Sequence, residues 1–235
     1  MGRRTGVAVA LAGLVAGSHG GTAGAEEQPS ERIAVWLGFD ASIESQYGYA
    51  GATYALGDSL DANGFLVRLG LGGGQYETRG NDSHWVDHYD VDLMAGYHAD
   101  FGGASLSIYV GGDFKDHRND DPESDIRGQR FGVKGQIEAY APLGEEFFAA
   151  GFAHYSTAFE TFDASAKVEY RVTESVSVGP EAAVLGCQGF DQIRAGLAMA
   201  WRLNAVELAP SAGAAWRLDD NDYGFYAGLN IYRRF

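Results

Sequence analysis

The sequence predicts an all-β protein, a transmembrane antiparallel outer-membrane β-barrel of about twelve strands. Three observations carry that expectation. Segments of roughly ten residues alternate between apolar and polar positions along nearly the whole chain. Glycine is abundant at 34 residues, tyrosine and phenylalanine contribute 13 each, and proline is scarce at 5, a mixture that favours extended structure with tight turns. Hydrophobic residues make up 46% of the chain, yet no window offers the ~18 uninterrupted apolar residues of a membrane helix. Each strand signal is weak by itself, as is usual for barrels, and their repetition supplies the weight.

Residues 1–25 stand apart from this pattern. Arg3 and Arg4 precede the short apolar run Gly6 to Gly17, and Ala23-Gly24-Ala25 forms a small-x-small cleavage site. That order of features predicts a cleaved secretory signal peptide, with an apolar run too short for a membrane anchor. Cleavage removes two cations and no acid, so the net charge moves from −15 to −17. The expected location is the outer membrane of a Gram-negative bacterium. Residues 26–32 read as a short polar lead and 33–235 as the barrel domain. The negative charge argues against nucleic acid as a partner, because phosphates would be repelled. One cysteine, Cys187, excludes an internal disulfide and a multi-cysteine metal site. No cofactor or metal is expected.

The strands follow in order. Ile33, Val35, Leu37 and Phe39 begin the first. The stretch Gln46 to Tyr76 reads as a hairpin, with Gly48, Ala50, Ala52, Tyr54 and Leu56 on one side of the turn GDSLDANG. Beyond the turn, Phe65, Val67, Leu69 and Leu71 oppose Arg68. From His88 to Asp100 the alternation is cleanest, and Tyr89 and Tyr97 lie roughly 26 Å apart at ~3.3 Å per residue. Strand tilt reduces that to about the height of a lipid-facing apolar band. Further strands begin near Ala104, Phe131, Phe147, Phe162, Val176, Ile193, Val206 and Phe225.

Odd-numbered connections such as TRGNDSHWVD, KDHRNDDPESDIR and RLDDND tend to be longer and acidic, although the one near Glu160 is short. Even-numbered ones such as DFGG, VTES and LNA are short, GDSLDANG being the exception. Long external loops and short periplasmic turns are the barrel habit. Pro180 and Pro210 fall inside proposed strands and are expected at bulges or strand ends. The polar faces carry cations and anions in equal number, among them Arg68, Lys134 and Arg194 against Asp92, Asp113 and Glu138. The expected lumen is therefore near neutral and either solvated or salt-bridged, with a selective polar conduit as the alternative.

The hairpin YGYAGATYALGDSLDANGFLVRLGLGGGQY, the loop region YVGGDFKDHRNDDPESDIRGQRFGVKGQIEAY and the segment VGPEAAVLG resemble the cellulose biosynthesis protein BcsS family. The resemblance runs from about Ile33 to Phe235. It implies a secreted outer-membrane protein tied to bacterial cellulose, an exopolysaccharide of biofilms. The partners it implies are the cellulose synthase or export complex and a glucan chain, beside outer-membrane lipid. It carries over no catalytic residues.

Two chemistries are candidates on the residues themselves. His154 and Ser156 stand at i and i+2 on one strand face, a pair similar to the His-x-Ser of lipid A deacylases, in which histidine activates a serine nucleophile. That chemistry expects the pair on the lipid side. Trp36, Trp85 and Tyr109 sit on otherwise polar faces and are candidate glucan contacts, because aromatic rings pack against apolar sugar faces. Trp201 and Trp216 read as interfacial girdle. The acidic groups Asp120, Asp121, Glu123, Asp125 and Asp219, Asp220, Asp222 read as solvated loops. The expected function is a non-enzymatic barrel component of cellulose biosynthesis or export. The alternatives are an outer-membrane lipid hydrolase using His154 and Ser156, and a soluble periplasmic β-sandwich accessory protein.

Overall fold

The computed structural model describes residues 31–42, 44–78, 84–119, 125–218 and 222–235. The expected signal peptide and most of the two acidic loop clusters lie outside these residues. Among the described residues, alternation has become twelve strands: β1 Ile33–Ser42, β2 Ser45–Ala55, β3 Gly64–Glu77, β4 Trp85–Asp100, β5 Ser105–Asn119, β6 Gly128–Pro142, β7 Phe147–Ser156, β8 Thr161–Arg171, β9 Val176–Cys187, β10 Phe190–Leu203, β11 Val206–Arg217 and β12 Tyr223–Arg234. Each strand pairs antiparallel with its sequence neighbours, and β1 closes the barrel on β12 from Ala34↔Arg234 to Ser42↔Tyr226. Closure leaves no free edge, so every wall strand has two partners. A soluble sandwich is thereby replaced by a barrel of outer-membrane type.

Period-2 geometry sends alternate side chains to opposite faces, and here the apolar set faces out. Phe131 is 84% exposed, and Leu37, Leu93, Val110 and Leu197 are likewise bare on the outer wall. Arg68, Asp92, Lys134, Glu169 and Arg194 are buried in the lumen. This inside-out arrangement suits hydrocarbon outside the wall. Trp201 and Trp216 stand on the outer face near strand ends, as a girdle requires.

Three expectations need correction. Odd connections are not uniformly long: β1 and β2 are joined through residues 43 and 44 alone, and β9 and β10 through Gln188 and Gly189. The run KDHRN is not loop but the end of β5, where Lys115 and His117 point inward. Finally, neither proline marks a bulge or an end. The β8–β9 ladder lapses between Lys167↔Glu181 and Tyr170↔Val178, opposite Pro180, and resumes in the same register. The β10–β11 ladder lapses likewise between Ala198↔Ser211 and Trp201↔Leu208, opposite Pro210. A proline has no N–H to give, and in each case one side of the strand keeps its pairing while the other skips two pairs.

The turn at residues 56–63 joins β2 to β3 at the end of the barrel where Arg32 and Ile33 meet Phe235. It folds back over the mouth. Leu60, 7% exposed, packs with Ala34, Ala55, Leu66, Met94 and Tyr109. The Leu60 N–H donates to the Glu31 carbonyl at 2.9 Å, and Arg234 donates to both oxygens of Asp61 at 2.9 and 2.8 Å.

Candidate functional site

Among the described residues, polar and aromatic side chains from many strands converge in the lumen. Its first feature is a wall of aromatic rings lying over glycines. A Cβ at Gly38 would strike the Tyr49 ring, one at Gly51 the Trp36 ring, one at Gly72 the Tyr47 ring and one at Gly96 the Tyr109 ring. Three of these four are direct cross-strand pairs, and the fourth is a diagonal neighbour. The glycines thus make room for rings to lie against the wall, the arrangement by which aromatics rescue glycines in sheets. This gives a packing reason for Gly38, Gly51, Gly72 and Gly96.

The second feature is a septum. Arg68 reaches across the lumen and donates to Glu138 at 2.8 Å. Its guanidinium lies over the Trp36 ring at 4.0 Å and the Tyr109 ring at 5.6 Å from the centroids. Gln136 donates to the same Glu138 oxygen at 2.6 Å. A stacked, ion-paired arginine is well held, because its planar fork suits both contacts at once. Trp36 and Arg68 line cavities on both sides of this septum.

On the side of the termini lies the smaller cavity, bounded by Leu60, His98, Glu138, Tyr232 and Arg234. On the far side lies a chamber of about 130 Å³, measured as space for the centre of a water molecule. Trp36, Tyr47 and Tyr49 form one flank of the chamber, and His88, Asp90, Asp92, Lys115, Lys134, His154 and Asp163 contribute from β4 to β8. Its charges are mostly matched. Lys134 pairs with Asp92 at 2.6 Å, and Tyr47 donates to Asp90. Nearby, Lys115 lies 3.6 Å from Asp113, and Arg194, 2% exposed, pairs with Asp40 at 2.5 Å. The expected salt-bridged lumen is therefore present.

Beyond the chamber the lumen narrows again. Phe159 sits in the β7–β8 connection with φ of 55°, a left-handed backbone that costs a non-glycine residue about 1–2 kcal/mol. That turn folds its ring inward, where it stacks on His117 at 3.8 Å beneath the Arg130 guanidinium at 4.2 Å. Tyr76, Val86, Leu185 and Phe190 pack beside it, with Ile126 against them.

The residues singled out in the sequence are separated by this geometry. Trp36 and Tyr109 meet at Arg68 in the septum. Trp85 is the first residue of β4 and has the outward parity of Tyr89, so it does not share a surface with the other two. Ser156 faces the lumen with 0% exposure, not the lipid, and donates to Asp113 at 2.6 Å while accepting from the Ala158 N–H at 3.0 Å. His154 shares that face, opposite Asp163 in the β7–β8 register, and its ring lies beside Phe152. The serine is held by an acid and a backbone donor rather than by a histidine. Among the described residues no group of three His, Cys, Asp or Glu side chains converges as metal ligands would.

Sequence reading missed Lys115, His117, Asp40 and Phe159. The first two follow Asp113 at steps of two, but their outward neighbours Asp116 and Arg118 are charged. The strand has passed beyond the lipid belt, and the apolar half of the alternation stops there.

Solved structures with this fold include a KdgM porin, 10% identical, with a TM-score of 0.53 over 86% of this chain and 99% of that one. The COG4313 outer membrane channel from Pseudomonas putida F1 is 12% identical, with a TM-score of 0.53 over 89% and 97%. The transport unit of the autotransporter AIDA-I from Escherichia coli is 8% identical, with a TM-score of 0.50 over 89% and 92%. These likenesses establish the outer-membrane barrel fold. A search of curated proteins found no match. The family model for cellulose biosynthesis protein BcsS matches residues 34–235, which is the whole barrel with its septum and both cavities, and the chain belongs to that family.

Proposed function

We propose that this protein is a non-enzymatic, closed barrel component of the cellulose biosynthesis apparatus, held in the outer membrane and exported by a cleaved signal peptide. Family membership supports the link to cellulose, and the apolar belt supports the lipid location. The observation that carries the closed reading is the Arg68–Glu138 septum, stacked on Trp36, with Leu60 seated in the mouth beyond it. A conduit for a glucan needs a continuous lumen, and this one is interrupted twice in series. The barrel then serves as a membrane-embedded docking or structural element. An even strand number leaves both termini on the periplasmic side, together with the 56–63 turn, where a cellulose-synthesising complex would meet it.

The test combines deletion with electrophysiology. Loss of the gene is expected to lower cellulose output, and the purified wild-type protein is expected to give no stable conductance in planar lipid bilayers. Persistent open channels would overturn the closed reading. The non-enzymatic part rests on Ser156, whose hydroxyl serves Asp113. Ser156→Ala is expected to leave lipid A and phospholipid profiles unchanged when the protein is produced in cells, and a shifted profile would revive the hydrolase alternative.

A further inference from the structure

The chamber beyond the septum contains a group that the packing of the barrel does not explain. Asp163 is 6% exposed and lines the chamber, and its Oδ1 meets no hydrogen-bond donor among the described residues. Its cross-strand neighbour is His154, another lining residue. The Oδ1 of Asp92 is in the same position, its Oδ2 being taken by Lys134. A buried carboxylate oxygen without a donor is costly, and such atoms in native proteins call for an explanation. Here they lie along one space of about 130 Å³, large enough to hold water or a small polar ligand.

The chemistry around that space is specific. Acids and lysines are interspersed, so a ligand with full charge of either sign meets repulsion from part of the wall. A neutral ligand with hydroxyls can donate to Asp163 and Asp92 and accept from Lys134 or His154. The lumen face of Trp36 is taken by Arg68 and Tyr47 stacks with His88, so the apolar flank beside the polar one is supplied by Tyr49 and Leu185. One flank apolar and one rich in donors and acceptors is the complement of a pyranose. We propose that the chamber binds a single neutral pyranose unit, free or at the end of a glucan. Asp163 and Asp92 take its hydroxyl hydrogens, and Tyr49 and Leu185 lie along its C–H face. The choice of a glucose-type sugar rests on the cellulose reading above.

The full-length protein in detergent micelles is titrated calorimetrically with glucose, cellobiose and cellotetraose, and with glucosamine and glucuronate as charged probes. Saturable binding of a neutral sugar is expected, with both charged sugars at least tenfold weaker. Glucose binding as tightly as the oligomers identifies a free sugar as ligand, and tighter oligomer binding identifies a chain end; both uphold the site. Asp163→Asn is expected to weaken binding tenfold or more while heat-modifiable gel mobility stays that of the folded barrel, because it exchanges a carboxyl oxygen for an amide nitrogen at constant size. If that variant fails to fold, His154→Gln is expected to give the same loss. Absence of saturable neutral-sugar binding overturns the site, as does glucosamine binding more tightly than glucose or wild-type affinity in the folded variants. The two readings fail separately. Sugar binding in a protein whose deletion leaves cellulose unchanged keeps the site and removes the role, and cellulose loss without sugar binding does the reverse.

Discussion

Individual buried charges set the character of this lumen. Arg194 is held by Asp40 and by Gln192, both at 2.5 Å, and is among the most deeply buried side chains of the barrel. Breaking such a pair from one side strands the partner, which costs about 3–5 kcal/mol, whereas replacing both ends is far milder. Asp40→Ala is therefore expected to lower the midpoint of urea unfolding clearly, and Asp40→Ala with Arg194→Met to recover much of the loss. Folded barrel is counted by heat-modifiable mobility. Ser156 belongs to the same class. Its hydroxyl donates to Asp113, so Ser156→Ala is expected to cost about 1–3 kcal/mol through the lost hydrogen bond, read as a lower urea midpoint.

At the scale of elements, the wall from β1 to β5 depends on glycine as spacer. Gly51→Val forces its side chain into the ring of Trp36, and overpacking of this kind costs about 1–3 kcal/mol. Trp36 also carries the Arg68 stack, so the same substitution is expected to disturb the septum. The readout is a change in near-ultraviolet circular dichroism together with a lower unfolding midpoint, and an unchanged spectrum would count against ring-on-glycine packing. The 56–63 turn is an element of the same kind, a connection that folds back to fill a mouth. Replacing it with a two-residue Asn-Gly turn removes Leu60 and the Asp61–Arg234 pair. With the Arg68 septum still in place, that variant is expected to stay non-conducting, whereas combining it with Arg68→Ala joins the two inner cavities. A conducting single variant would show that the closures do not act in series.

For the whole molecule, the outer belt governs insertion. Leu93 and Leu197 stand bare on that belt, and an arginine at either is expected to cost about 2–4 kcal/mol if the position is mid-membrane. Refolding yield into vesicles measures this. The same residues would be unremarkable on a water-exposed sheet, so tolerance of Leu197→Arg would argue against a lipid-facing wall. The inner surface follows the opposite rule, with charges matched across a closed cylinder and rings filling the gaps between them.

The class of object was legible in the chain alone. Twelve apolar–polar alternations imply strands, their even number and lack of helix imply a barrel, and the motifs of the opening hairpin pointed to the family. Those are local properties: the period of two is written into consecutive residues, and parity assigns Arg68, Asp92 and Lys134 to one face without any knowledge of neighbours. What the tertiary structure decided is which residues meet across the cylinder. Arg68 finds Glu138 from 70 positions away, Leu60 returns to fill the mouth, Phe159 turns inward, and Trp36 parts company with Trp85. Register and closure set those meetings, and neither leaves a trace in short-range periodicity. The boundary between lipid and water also lies outside the sequence pattern, which is why β5 continues to His117 and Asn119 after the apolar signal has ended.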